Sequence, residues 1–176
     1  MTSILIVPVC FAVMSPQLQW RDPIYIAAGF AGIVALALLF LQPLLAVQSL
    51  PGISPYRGRR IHRWIGAGLV AAVVVHVAAL WITSPPDVLD VLLFRSPNWF
   101  AIWGAIAMWA VFASAFIAVW RHRFRLRIWR RTHTGLAVVI VSSSIAHAML
   151  IEGTMEIVSK TLLCTFVGVA IVMAIA

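Results

Sequence analysis

Four of the five histidines in this 176-residue chain form two pairs with the same spacing. His62 and His76 lie fourteen positions apart, as do His133 and His147, and each pair falls in a strongly apolar stretch. On an α-helix, fourteen steps of about 100° leave two side chains about 40° apart around the axis and about 21 Å apart along it. Such a helix presents one imidazole near each side of a bilayer core about 30 Å thick. Because imidazole nitrogen binds iron, two such helices side by side can hold two haems, one above the other.

Composition identifies the class of protein that carries these histidines. The residues are 63% hydrophobic and 10% charged, whereas a soluble domain has about 25% charged residues. No polar stretch is longer than a loop, so we expect a single all-α integral membrane domain over residues 1–176. The net charge of +8 does not predict nucleic-acid binding, because the basic residues lie in short segments between apolar runs. The apolar runs predict a bundle of six transmembrane helices, at residues 2–18, 24–49, 61–83, 99–120, 132–151 and 160–176.

The basic residues also predict an orientation for the bundle. Ten of the thirteen lie in the segments 49–63 and 121–131, which fall on the same side of a six-span bundle. The positive-inside rule assigns that side to the cytoplasm, and six spans then place both termini there. All five acidic residues fall on the opposite side. The chain is therefore predicted to be a multi-pass protein of the cell (inner) membrane, in contact with membrane lipid.

The direction of the two histidine-bearing segments decides which histidines meet. One span separates the third segment from the fifth, so both run from the cytoplasm to the outside. Parallel helices place His62 level with His133 near the inner face, and His76 level with His147 nearer the outer face. Two neutral imidazoles on one haem iron give a six-coordinate centre suited to electron transfer, with no open position for a substrate. A lone histidine in a membrane helix more often makes a hydrogen bond or lines a proton path, but two matched pairs favour haem ligation.

Five arginines lie close in sequence to the inner histidines, and the sequence leaves two roles open for them. Guanidinium groups bind carboxylates through paired hydrogen bonds, so these side chains are candidates to hold the haem propionates. Basic residues at the end of a membrane helix also anchor it to lipid headgroups. The five are Arg59, Arg60, Arg63, Arg130 and Arg131.

The surroundings of these histidines resemble the ferric reductase-like transmembrane superfamily of di-haem cytochromes b. That superfamily includes ferric reductases, the membrane domains of NADPH oxidases and the haem-binding membrane subunit of a periplasmic methionine sulfoxide reductase system. The resemblance implies two haems b, the inner one held by His62 and His133 and the outer one by His76 and His147. It is carried by Arg59-Arg60-Ile61-His62-Arg63-Trp64 and Trp129-Arg130-Arg131-Thr132-His133-Thr134-Gly135, each followed by a second histidine.

The resemblance also implies a direction for electrons, from cytosolic flavin or NAD(P)H to an acceptor outside, such as ferric iron, oxygen or a periplasmic enzyme. The oxidase and reductase branches carry a flavin- and nicotinamide-binding module after the last helix. No dinucleotide-binding glycine motif occurs in this sequence. The implied FAD, FMN or NAD(P)H therefore belongs either to a partner, a cytosolic flavin reductase, or to a module that has been cut off. We expect an electron-transfer subunit of an oxidoreductase, with no catalytic residues of its own.

Two alternatives stay open. A quinol-linked cytochrome b subunit would use the same ligands with a different electron donor. A haem-free transporter would use the histidines for proton relay or for bonds between helices. Against the transporter, no Asp, Glu or Lys interrupts the central spans, as a proton- or ion-coupled carrier normally requires.

Overall fold

The computed structural model describes residues 19, 21–47, 50–153 and 155–176, and within these ranges it contains helices and no strand. A single turn of 3₁₀ helix at Arg121–Arg123 precedes the α-helix that begins at Leu126. The α-helices are α1 (Pro23–Ala46), α2 (Pro55–Thr83), α3 (Pro85–Leu92), α4 (Trp99–Val119), α5 (Leu126–Leu150) and α6 (Ile157–Ile175).

Five of these helices, all except α3, are long and apolar enough to cross a membrane. They correspond to the second through sixth predicted segments, so the all-helical, multi-pass architecture is confirmed. The predicted first segment, residues 2–18, lies outside the described residues. The count of six spans and the cytoplasmic position of both termini therefore stay predictions.

Helices α1 and α2 each begin at a proline that directly follows a capping residue. Asp22 precedes α1, and its carboxylate accepts hydrogen bonds from the backbone N–H groups of Ile24 and Tyr25. Ser54 caps α2, with its hydroxyl accepting from the N–H of Arg57. Each cap is followed by a proline, whose missing N–H costs nothing in the first turn of a helix.

Three helices begin at least three residues earlier than the sequence analysis predicted. Helix α2 starts at residue 55 instead of 61, α5 at 126 instead of 132, and α6 at 157 instead of 160. The apolar pattern marks only the part of a helix that lies in hydrocarbon, whereas the hydrogen-bonded turns continue beyond it. As a result, Arg59, Arg60, Arg63, Arg130 and Arg131 lie on helical turns, not in loops.

The helices pack as two antiparallel pairs joined by α6. One pair is α1 with α2, the other is α4 with α5, and α6 contacts both α1 and α5. Leu163 and Val167 of α6 are almost completely buried in the shared core, against residues such as Leu36 of α1. The two histidine-bearing helices, α2 and α5, do not pack closely against each other. This packing leaves a space between them, which α3 covers at one end.

Candidate functional site

The four histidines lie in two pairs, one at each end of the space between α2 and α5. The ring centroids of His62 and His133, which we call the inner pair, lie 6.3 Å apart. Those of His76 and His147, the outer pair, lie 6.4 Å apart. The ring planes are inclined at 69° in the inner pair and 82° in the outer pair. The helices thus run in the same direction and bring together the histidines that the sequence places at a common level.

These separations distinguish a direct contact from a bridged one. An imidazole nitrogen lies about 1.15 Å from the centre of its ring. Two rings joined directly by a hydrogen bond of about 2.8–3.0 Å would therefore have centroids no more than about 5.3 Å apart. A metal ion between the two rings, with a ring nitrogen about 2.0–2.1 Å away on each of two opposite sides, would hold the centroids about 6.3–6.5 Å apart. Both observed separations agree with the bridged arrangement.

The outer pair is oriented by backbone carbonyls of the neighbouring helices. Nδ1–H of His76 donates to the carbonyl oxygen of Ala28 on α1, at 2.7 Å. Nδ1–H of His147 donates to the carbonyl oxygen of Phe100 on α4, also at 2.7 Å. Because a carbonyl only accepts, these bonds place the ring proton on Nδ1 and leave Nε2 with a free lone pair. This is the second-sphere arrangement that orients histidines bound to metals.

The inner pair is oriented in a similar way. Nδ1–H of His62 donates to the carbonyl oxygen of Gln42, and the Gln42 amide donates back to the carbonyl oxygen of His62, both at 3.2 Å. Nδ1 of His133 lies 3.1 Å from Ser114 Oγ, within hydrogen-bond distance. Trp129 stacks on His133, with ring centroids 5.4 Å apart and planes only 11° from parallel. Among the described residues, no partner engages Nε2 of any of the four histidines.

Two glycines make room for the outer rings. A Cβ added at Gly104 would lie 2.8 Å from Nδ1 of His147. A Cβ added at Gly32 would lie 3.2 Å from Nδ1 of His76. Each glycine stands four residues after the residue whose carbonyl accepts the histidine bond, one helical turn along the same face. The absence of a side chain there lets the imidazole reach the backbone.

The supporting residues form an internal repeat. Three residues of α1 that support a histidine, described above, have counterparts on α4, 72 positions later in the chain. The histidines themselves recur 71 positions later. Sequence analysis missed this repeat, because only one of the three counterpart pairs, Gly32 and Gly104, shares a residue type. The counterparts are Ala28 and Phe100, Gly32 and Gly104, and Gln42 and Ser114.

A cavity of about 920 Å³ contains the outer pair. Its lining includes both glycines beside the histidines, and it extends under α3 to Asp87. In the other direction it reaches apolar side chains of the bundle core, such as Val111 and Ile140. Ligand sites of this kind are mainly apolar with a few polar groups at fixed points, and a volume of this size accommodates a large flat ligand.

The five predicted propionate-binding arginines are all exposed, and they divide by their position around the helix. Arg59 and Arg130 each precede an inner histidine by three positions, which places them about 60° from that histidine around the axis. Arg60 and Arg131 precede it by two positions and lie about 160° away, on the opposite face.

Arg63 follows His62 by one position, about 100° around the axis. Together with Arg60, Trp64 and Ala67 it lines a separate surface cavity of about 400 Å³. Trp64 is 71% exposed, so this cavity lies on the outward face of α2. Arg60 and Arg63 are therefore turned away from the space between the histidine helices.

The chemistry of the donor set fits haem better than a bare metal ion. Within the part of the chain that the structure describes, no group of three or more His, Cys, Asp or Glu side chains is arranged to hold a metal. Each pair supplies two ligands, and a porphyrin supplies the four others that a six-coordinate iron requires. Near the inner pair, Oε1 of Gln42 and Nε1 of Trp129 are buried without a hydrogen-bond partner among the described residues. Buried polar atoms normally have a hydrogen-bond partner, so these two atoms are available to a ligand bound near the inner pair.

The fold and the site together define a multi-pass membrane protein with two pairs of facing, half-buried histidines. Residues 31–143 match the family described as the ferric reductase like transmembrane component, and the chain belongs to this family. The matched segment includes three of the four paired histidines and ends before His147. Comparison with curated proteins and with solved structures gives no match.

Proposed function

We propose that this protein transfers electrons across a membrane through two haems b, one at the inner pair and one at the outer pair. The observation that supports this most directly is the spacing of 6.3 and 6.4 Å between imidazoles whose Nδ1 atoms are all turned toward the neighbouring helices. A haem held by two imidazoles would supply one-electron transfer without binding a substrate at the metal. Membership of the ferric reductase-like family supports the same class of function.

The residues around each pair have definite tasks in this proposal. Hydrogen bonds from Nδ1 to Ala28, Phe100 and Gln42 raise the basicity of the imidazoles and fix the orientation of the rings. Apolar side chains such as Val111 and Ile140 line the inner part of the cavity, and they would shield a bound macrocycle from water there. Since the rings are held in advance, little reorganisation accompanies a change of oxidation state.

Arg59 and Arg130 are the arginines that we assign to the propionates of the inner haem. Their position on the histidine faces of α2 and α5 supports this choice. For Arg60, Arg63 and Arg131, the outward direction favours contact with anionic lipid headgroups. In this proposal, two of the five arginines bind propionates and the other three contact lipid headgroups.

We further propose that a separate cytosolic flavin- or NAD(P)H-dependent reductase supplies the electrons. Ten arginines of the segments 49–63 and 121–131 lie at the end of the bundle that holds the inner pair, and they would attract an acidic partner or a phosphate-bearing cofactor. Asp87, Asp90 and Glu152 line the cavity at the other end. That surface favours a cationic acceptor, such as a ferric complex, or a basic patch of a periplasmic enzyme.

Four single substitutions test the haem assignment. His62→Ala and His133→Ala should each lose the inner haem, while His76→Ala and His147→Ala should each lose the outer haem. Purified protein should hold about two haems, and each variant about one, by the reduced-minus-oxidised b-type spectrum and the haem-to-protein ratio. His122→Ala is the matched control, because His122 is exposed and its contacts are with its sequence neighbours, a hydrogen bond from Arg123 and stacking on Trp120. Colourless wild-type protein from haem-replete cells, or variants that pair in another way, would contradict the proposal.

Stopped-flow measurement of haem reduction tests the proposed donor. Protein in native membranes should be reduced rapidly by a cytosolic flavin reductase with NAD(P)H, and more slowly at high salt, which screens the attraction to the arginines. If quinol alone reduces the haems rapidly and no cytosolic reductase does, the chain is a quinol-linked cytochrome b.

A further inference from the structure

Lys160, the single lysine of the chain, is a buried cation in the cavity of the outer pair. It lies in the first turns of α6 and is only 7% exposed. Its Nζ donates one hydrogen bond, of 2.8 Å, to the carbonyl oxygen of Ile151. Lys160 is the first residue of the predicted span 160–176, so its place in the sequence puts it at the outer end of that span. The structure turns it into the bundle, toward the space that also contains His76 and His147.

Lys160 has no carboxylate of a described residue within ion-pair distance, although three carboxylates line the same cavity. All five acidic side chains belong to the described residues, and none forms an ion pair with it. Glu156, one turn earlier, is exposed. The N-terminal end of α6 adds a partial positive charge of its own, so the helix dipole disfavours a cation at this point. Burial of a charge without a partner is unfavourable, and an anion in the cavity would remove much of that cost.

The cavity lining narrows the choice of anion. Three carboxylates, Asp87, Asp90 and Glu152, line the same cavity near its rim and repel free anions that enter from that side. Arg95 is exposed and does not line the cavity. A carboxylate delivered as part of a ligand held by His76 and His147 avoids this barrier, because its position is fixed by the histidines.

We propose that Lys160 pairs with a propionate of the haem at the outer pair and raises the midpoint potential of that haem. The inference rests on the proposed function. A fixed positive charge close to the macrocycle disfavours ferric iron, which carries one more positive charge than ferrous iron. The pair would also select the side of the cavity on which the propionates lie. Lys160 is thus a positioning residue and not a ligand of the iron.

Potentiometric titration of the two haems tests this role. Lys160→Gln should keep both haems and lower the reduction equilibrium constant of the outer haem about tenfold, which is about 59 mV for one electron. Lys160→Arg should restore most of the shift, because the charge returns. Arg95→Gln, which removes an exposed charge on the same side, should leave both potentials unchanged. The His62→Ala variant, which should hold only the outer haem, identifies the outer wave. An unchanged outer potential in Lys160→Gln would overturn the inference.

A second measurement covers the case in which Lys160→Gln does not fold. Apoprotein made in haem-deficient cells is loaded with haem b or with its dimethyl ester, which lacks the carboxylates. In wild-type protein, the outer site should bind the ester at least tenfold more weakly than haem b. Lys160→Arg and Arg95→Gln should show the same preference as wild type. Equal loading of haem and ester would overturn the inference. If wild-type protein binds no haem at all, the proposed function itself fails, and the two failures are thereby distinguished.

Discussion

Gly104→Ala is the smallest change that tests how the outer pair is held. The added Cβ would lie 2.8 Å from Nδ1 and 3.0 Å from Cε1 of His147. Ordinary van der Waals contact begins at 3.4 Å, so the ring must withdraw by about 0.6 Å or α4 must shift. The backbone of a packed membrane helix has little freedom to move, so we expect the imidazole to move.

The displacement sets the size of the effect. Withdrawal by about 0.6 Å exceeds the tolerance of about 0.5 Å within which a preorganised site works. It also stretches the 2.7 Å hydrogen bond between His147 and Phe100 toward the limit of such bonds. Loss of a second-sphere partner typically lowers metal affinity about 10–100-fold, which corresponds to about 1.4–2.7 kcal/mol. We therefore expect the affinity of the outer site for haem to fall by that factor.

The assay is titration of apoprotein with haem b, followed by the haem-to-protein ratio and the b-type spectrum. In Gly104→Ala the second equivalent of haem should bind more weakly while the inner haem is retained. Gly32→Ala is the graded comparison, because its Cβ would lie 3.2 Å from His76 and requires a shift of only about 0.2 Å. Gly135→Ala is the matched control, since its Cβ would meet nothing within 4 Å.

The reasoning is refuted if Gly104→Ala binds two haems with wild-type affinity, or if Gly135→Ala causes the same loss. A selective loss of the inner haem in Gly104→Ala would also contradict it. An effect of Gly32→Ala as large as that of Gly104→Ala would show that the distance to the ring does not determine the outcome.

Two further substitutions address the support of the inner pair and the packing of the bundle. Ser114→Ala removes the oxygen that lies 3.1 Å from Nδ1 of His133. It should weaken binding of the inner haem about tenfold and leave the outer haem unaffected. Equal effects on both haems in the same titration would contradict this role. Leu163→Ala should lower the free energy of unfolding by about 2–5 kcal/mol, because the side chain is 1% exposed in the core and its loss leaves a cavity. Thermal unfolding in detergent measures this difference. Leu162→Ala is the control, because Leu162 is 53% exposed. Equal melting temperatures of the two variants would count against the packing shown for α6.

The sequence by itself determined the class of protein and the two levels of histidines. Helical periodicity fixes the angle and rise between His62 and His76, and between His133 and His147, without any tertiary information. Apolar length predicts the membrane helices, and an even difference in span number between the two histidine helices predicts that they run in the same direction. These are local or one-dimensional properties, so they can be read from residue types and spacing.

Only the tertiary structure decided what holds and surrounds the rings. The acceptors for His76 and His147 are backbone carbonyls, which every residue has, so no residue type identifies Ala28 or Phe100 in advance. Their roles arise because α1 packs on α2 and α4 on α5 at a particular register. The burial of Lys160 is decided in the same way, by the angle at which α6 enters the bundle. Periodicity gives the direction of a side chain around its own helix, but the neighbour it meets depends on how separate helices pack.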